Sequence, residues 1–197
     1  MWSRQSLWLL RPTKVAQCRN LWGLGSAKRQ NRVMSYAERR VIGFSAEQMF
    51  DVVYTVADYP KFVPWCKGAD VHKRSERAFD AELWIGFPPL HEHYTSRVTS
   101  LYPYVVNSYC TDGRLFHVLD TTWRFGPGPE GSPKQSCTLH FTLQFEFKSA
   151  LNAQLSQMFF GQVVRKMVTA FLCRAEHCYG PPSLDHFKQQ PEILTQQ

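Results

Sequence analysis

What this chain lacks narrows the field first. It has no G-x-S-x-G, no G-x-G-x-x-G and no P-loop, so the common signatures of serine hydrolases, dinucleotide enzymes and nucleotide hydrolases are missing. No apolar run approaches the ~20 residues that a bilayer-spanning helix needs. There is no C-x-x-C, and the cysteines form no tight ligand cluster. Of the six cysteines Cys18 lies within the first 34 residues; the other five, Cys66, Cys110, Cys137, Cys173 and Cys178, are scattered and odd in number, which suits a reducing compartment better than a disulfide framework.

Acidic residues are absent from residues 1–34, a stretch that holds Arg4, Arg11, Lys14, Arg19, Lys28, Arg29 and Arg32. Without these seven, the 23 basic residues fall to sixteen against sixteen acidic ones, so the net charge of +7 belongs to the leader. A basic domain that reaches for nucleic acid is therefore not indicated, and DNA is not an expected partner. An Arg-rich, acid-free leader whose apolar stretch Leu7–Leu10 is too short for secretion fits a mitochondrial transit peptide over 1–34. The alternative is a disordered basic tail. The expected division is leader 1–34, one domain over 35–180, and a polar, disordered tail over 181–197.

What the chain has in quantity is aromatic side chains: fourteen Phe, eight Tyr and six Trp. Residues 36–44 alternate as a strand. Ser45-x-x-Gln48 has capping-box form and opens a helix. Pro60 and Pro64 bound a short helix or turn in DYPKFVPWC, where Phe62 and Trp65 are too apolar for a solvated loop. From Gly68 to Lys148 the period is two. Phe79, Ala81, Leu83, Ile85 and Phe87 share one strand face; Leu115, His117, Leu119, Thr121, Trp123 and Phe125 share another. The clearest strand sets Cys137, Leu139, Phe141, Leu143, Phe145 and Phe147 against a polar face, as in an antiparallel sheet covered on one side. The fold class is α+β, a meander of about six strands closed by one long terminal helix.

That helix, Ala150 to Cys178, would be ~44 Å long. On a helical projection Phe160, Val163, Val164, Met167 and Phe171 form a stripe with Val168 and Ala175 at its edge. In the first half, Leu151, Leu155, Met158 and Phe159 fall on the side that is polar later. Three readings stay open: a helix enclosed on both sides, a bend near Gly161, or one face lining a cavity and the other meeting a membrane or partner. Phe87-Pro88-Pro89-Leu90 is a second apolar element, either a stiff packed turn or a lip.

Catalytic chemistry finds little support. His91 and His93 share a strand face but lack a third ligand at sensible spacing for zinc. His117 and His140 fall on opposite faces. Cys66 beside Trp65 reads as a nucleophile or as a small buried hydrophobe. No catalytic residue, metal site or catalytic cofactor is expected.

The sequence resembles the mitochondrial coenzyme Q-binding START-domain proteins of the polyketide-cyclase/START superfamily. The resemblance rests on DYPKFVPWC, LDTTWRF and MVTAFLCRAEHCYG and covers roughly residues 36–180, with Pro64, Trp65, Trp123, Met167 and Phe171 as family-pattern positions. It implies a helix-grip fold, a curved sheet of about six to seven strands wrapped on the terminal helix, with a lipid tunnel between them. It also implies non-catalytic ubiquinone binding and delivery at the matrix side of the inner membrane, supporting respiration and quinone biosynthesis, with respiratory or biosynthetic proteins as possible partners. A ribosome-interaction module and a cyclase-type enzyme are the alternatives within the superfamily.

A polyisoprenoid needs a long, dry, apolar groove. The facing pattern offers Phe62, Trp65, Leu83, Ile85, Leu119, Trp123, Phe141, Leu143, Phe145, Phe160, Val163, Val164, Met167 and Phe171 as its lining. Phe87, Leu90, Leu151, Leu155, Met158 and Phe159 are the expected mouth or membrane contacts. The quinone head would take donors near the mouth, with Tyr54, Tyr94 and Arg97 as candidates.

Overall fold

The computed structural model describes residues 33–87, 90–113, 115–148 and 150–196, with side chains described outside 87–90, 112–114 and 149–162. Residues 1–32, most of the expected leader, lie outside the described residues. The chain order is β1 (Met34–Ile42), α1 (Ala46–Tyr54), a short 3-10 helix (Val56–Lys61), β2 (Cys66–His72), β3 (Ala78–Phe87), β4 (Leu90–Leu101), β5 (Val105–Gly113), β6 (Phe116–Pro127), β7 (Cys137–Phe147), α2 (Ala150–Tyr179) and β8 (Glu192–Gln196).

Period-two alternation makes the sheet. Every neighbouring pair is antiparallel, in the order β2-β3-β4-β5-β6-β7-β1-β8. Directly opposed residues share a face, so the register fixes which side chains turn inward. Phe141 opposes Trp123 on β6 and Glu38 on β1, and Leu143 opposes Tyr36. The capping box at Ser45 is formed: the Gln48 backbone N–H donates to Ser45 Oγ at 3.3 Å, and the Ser45 N–H donates to Gln48 Oε1 at 2.9 Å. This holds the start of α1, which buries Met49, Phe50, Val52 and Val53 against one end of the sheet.

α2 is one continuous helix from Ala150 to Tyr179, Gly161 included. Its buried stripe is Val164, Val168, Phe171, Leu172 and Ala175, with Met167 half-buried beside it. This corrects the expected stripe by one step around the helix. Val163 sits at the exposed edge, 38% accessible, and Leu172 takes its place inside. α2 ends at Gly180, whose φ of 84° is a left-handed conformation suited to glycine, and the Gly180 N–H donates to Glu176 O at 2.9 Å.

Among the described residues the sheet has eight strands rather than six or seven because the tail contributes one. After α2 the chain turns back, the Ser183 N–H donates to Gly43 O at 2.9 Å, and β8 pairs with β1. The tail expected to be disordered is therefore docked up to Gln196, with His186 fully buried against Phe44. Gly43 is needed for this close approach. A Cβ there would stand 2.6 Å from Leu184 O and 2.8 Å from the Pro182 side chain. The period-two pattern also breaks in β6. A bulge between Phe116 and Val118 sets Phe116 opposite Phe147 and leaves His117 exposed.

Candidate functional site

The site is the space between the inner face of the sheet and α2. At its floor the aromatic side chains meet in one cluster. Trp123 lies 4.5 Å from Phe141 and 4.7 Å from Phe171, ring centre to ring centre. Phe171 makes edge contacts with Phe62 at 5.1 Å and Tyr59 at 5.2 Å. The register places Trp123 and Phe141 side by side, α2 lowers Phe171 onto them, and the 3-10 turn bounded by Pro60 and Pro64 brings in Tyr59 and Phe62. Tyr59 spends its hydroxyl on Val53 O at 2.6 Å, so this end is both apolar and polar-satisfied.

Burial falls from this floor toward the opposite end. Along β7, Leu139 and Phe141 are fully buried, Leu143 is 7% and Phe145 8% accessible, and Phe147 is half-buried. Along β3 the same sense holds, from buried Phe79 and Ala81 through Leu83 to half-buried Ile85. Leu119, Phe116, Tyr94, Met34 and Met167 are likewise half-buried against the core. Accessible apolar side chains on an inward face mean that the sheet and helix do not close upon each other at this end. What results is a cleft with aromatic walls: Tyr94 meets Phe116 edge-on at 5.5 Å, Phe116 stacks near Phe147 at 4.9 Å, and Phe147 meets Phe145 at 5.3 Å.

The structure thus brings together Phe62, Leu83, Ile85, Leu119, Trp123, Phe141, Leu143, Phe145, Val164, Met167 and Phe171 on one interior surface. Trp65 is half-buried at the junction of the 3-10 turn and β2, in a left-handed backbone conformation (φ 65°), where its carbonyl accepts from the Gly86 N–H at 2.9 Å. Val163 is set apart, as above. The side chains of Phe160, Phe87, Leu90, Leu151, Leu155, Met158 and Phe159 lie outside the described residues. Phe116, Phe147, Tyr59 and Leu172 join the interior although the sequence-based lining omitted them. The bulge hid Phe116, since no alternation pattern registers an extra residue.

Of the three expected head-group donors, the geometry separates them. Arg97 is on the outer face, its guanidinium 2.8 Å from Asp80, and is removed from the interior. Tyr54 lies at the α1 end, packed on Phe50 and Phe79 with Arg74 above its ring. Tyr94 alone faces the cleft, opposite Leu83.

Among the described residues the interior carries a buried ion pair, Glu38 with Arg40. Tyr36, Glu38 and Arg40 share the inner face of β1. The Tyr36 hydroxyl donates to Glu38 Oε2 at 2.5 Å, and Arg40 donates to both Glu38 oxygens at 2.8 and 3.0 Å. Burial, then the hydrogen bond to Glu38, pushes the Tyr36 phenol above its ordinary range. Glu38 and Tyr36 are sealed from solvent, so this network serves the fold. The Cys66 thiol donates to Gly68 O at 3.4 Å, and burial raises its pKa, which disfavours the reactive thiolate. The His93 imidazole is on the outer face near Glu82, and among the described residues no group of three or more His, Cys, Asp or Glu is placed to hold a metal ion. A depression of about 100 Å³, lined by Asp51, Asp58, Phe62, Arg174 and Tyr179 among others, is too small for a prenylated ligand.

Comparison with known proteins adds a family. The model for polyketide cyclase / dehydrase and lipid transport proteins matches residues 42–172. The mitochondrial coenzyme Q-binding protein COQ10 homolog B of Xenopus laevis is 42% identical over 174 residues, 87% of this chain and 71% of that protein. The mitochondrial coenzyme Q-binding protein COQ10 of Drosophila melanogaster is 44% identical over 149 residues, 76% of this chain and 61% of that protein. The ribosome association toxin RatA of Vibrio cholerae is 32% identical over 140 residues, 71% of this chain and 94% of that protein. Among solved structures, a START superfamily protein from Mycobacterium smegmatis superposes with a TM-score of 0.62 at 16% identity, covering 74% of this chain and 99% of that one.

Proposed function

The chain belongs to the polyketide cyclase / dehydrase and lipid transport family, and within it to the coenzyme Q-binding line; on that footing we propose that it binds coenzyme Q between the sheet and α2 and delivers it without transforming it. The observation that carries this reading is the graded interior. An aromatic floor rises through Leu143 and Phe145 to a half-open rim whose inward side chains, Phe147, Phe116, Leu119, Met34 and Met167, are apolar. An isoprenoid gains from each apolar contact in such a cleft, roughly 25 cal/mol per Å² removed from water. Met34 and Met167 at its open part adapt to a chain of variable path. A reaction would need a general acid, base or nucleophile in this space. Glu38 is spent on Arg40 and Tyr36, and the Cys66 thiol near Tyr94 is held protonated by burial.

The place of action is the mitochondrion, as for the named relatives, and the acid-free leader agrees with import. No helix among the described residues is long and apolar enough to cross a membrane, so we place the protein peripherally on the matrix side of the inner membrane, exchanging quinone with the bilayer. Support of respiration and of quinone biosynthesis follows from such exchange.

The test is mass spectrometry of lipid carried through purification from a quinone-producing host. Ubiquinone is expected with the wild-type chain and its loss with Met167→Glu, which puts a charge on the cleft wall while leaving the buried stripe of α2 intact. Clean wild-type extracts from folded protein overturn the reading. The similarity to RatA favours a second reading, ribosome association. The even balance of sixteen basic and sixteen acidic residues outside the leader weighs against direct RNA contact, because such binding releases counterions through basic side chains. Co-sedimentation with mitochondrial ribosomes across a salt series separates the two.

A further inference from the structure

We infer that Tyr94 donates a hydrogen bond to a carbonyl oxygen of the quinone head, so that the head enters the cleft first and the prenyl tail trails out toward the β3–β4 end of the sheet. This rests on the quinone-binding reading above and assigns its polar contact.

Apart from Tyr54 at the α1 end, the tyrosines that face the interior among the described residues are Tyr36, Tyr59 and Tyr94, and they differ in one respect. The Tyr36 hydroxyl donates a hydrogen bond to Glu38 Oε2 at 2.5 Å, and the Tyr59 hydroxyl donates one to Val53 O at 2.6 Å. Tyr94 has no hydrogen-bond acceptor among the described residues; its contact is the ring edge of Phe116 at 5.5 Å. Its hydroxyl keeps access to solvent, since the sealed unpartnered side-chain atom among the described residues is His186 Nε2, so it can donate into the space it lines. Tyr94 lies deep among protein atoms yet is only half-buried, the combination of a side chain that lines an internal space. Desolvation also keeps its phenol protonated far above neutral pH, so it is a donor under all physiological conditions.

The surroundings define the acceptor. Leu83 stands opposite on β3, Phe116 covers one side, and the Cys66 thiol nearby is already donating to Gly68 O. Nothing in this set offers positive charge, so a carboxylate or phosphate would enter unpaired and is disfavoured. A neutral ring bearing carbonyl oxygens on an otherwise apolar body fits: one oxygen takes the phenol proton and the ring faces Phe116. Depth fixes the direction. Tyr94 lies four residue steps along the strand from Leu90 at the sheet's end, ~13 Å at the usual rise. A head held there is inside the cleft, and the tail beyond its first units is outside. A short-tailed quinone is therefore a sufficient probe.

The experiment compares the full chain with Tyr94→Phe, which keeps the ring and its contact with Phe116. Affinities are measured for decylubiquinone and for decylbenzene, of equal tail and no oxygen, by displacement of one fluorescent apolar probe. The variant is expected to bind decylubiquinone ~5-fold more weakly and decylbenzene unchanged, the loss of one neutral hydrogen bond. Equal weakening of both ligands, or of neither, overturns the assignment while leaving quinone binding in place. A wild-type protein that binds decylubiquinone no better than decylbenzene overturns the assignment through loss of head recognition, and one that binds neither overturns the proposed function with it. Matching thermal midpoints for the two proteins exclude unfolding as the cause of any difference.

Discussion

Glu38 shows what one residue costs and returns in this interior. It is fully buried on an otherwise apolar face, and three hydrogen bonds from Tyr36 and Arg40 satisfy it. The net worth of such a network over apolar side chains is small, but breaking it is expensive, because a buried guanidinium is left facing carbon. Glu38→Ala should therefore lose about 3–5 kcal/mol in denaturant unfolding; a loss below about 1 kcal/mol would mean water reaches Arg40. His186 works in the opposite sense. Its Nδ1 accepts from the Gly43 N–H at 3.4 Å, and its Nε2 has no partner among the described residues. Burial first, then the charge of Arg40, lowers its pKa, with Asp185 and Glu176 opposing. The unfolded chain therefore takes up this proton first as pH falls. Stability from His186 is intact above the unfolded value of ~6.5 and drains away as pH drops below it toward the folded value. His186→Phe should flatten the fall in unfolding midpoint between about pH 7.5 and about pH 5.5; an unchanged slope would assign the acid sensitivity to other groups.

At the scale of elements, the tail is part of the sheet. Its docking depends on Gly43, where any side chain meets Leu184 backbone. Gly43→Ala should cost about 1–3 kcal/mol by overpacking and make the segment after Gly180 sensitive to limited proteolysis. A tail as resistant as wild type would show that the backbone yields instead. This element also marks where sequence reasoning stops. The sequence tail reads as polar, and its strand forms only because β1 offers an unpaired edge, a fact of tertiary structure. β7 was legible because one face is buried and the other wet throughout. The capping box was legible because it is local. The bulge in β6 was not, and with it went Phe116. On α2 the projection found the right side but not its centre, since the choice between Val163 and Leu172 is decided by what the sheet presents. Arg97 looked like a mouth residue until pairing with Asp80 fixed its face.

At the scale of the whole molecule, the fold class and the aromatic interior could be read from alternation and composition. The direction in which the interior opens could not, because it emerges from eight strands and α2 together. That gradient has a thermodynamic meaning. Inward apolar side chains that stay accessible are hydrated while the cleft is empty, and hydrated apolar surface carries a high heat capacity. Filling the cleft returns that water to bulk. Loading is then a second, smaller collapse of the kind that formed the floor, and its mark is a negative heat-capacity change. Retention of the lipid accordingly strengthens or weakens with temperature along the same curve that governs the protein's own core.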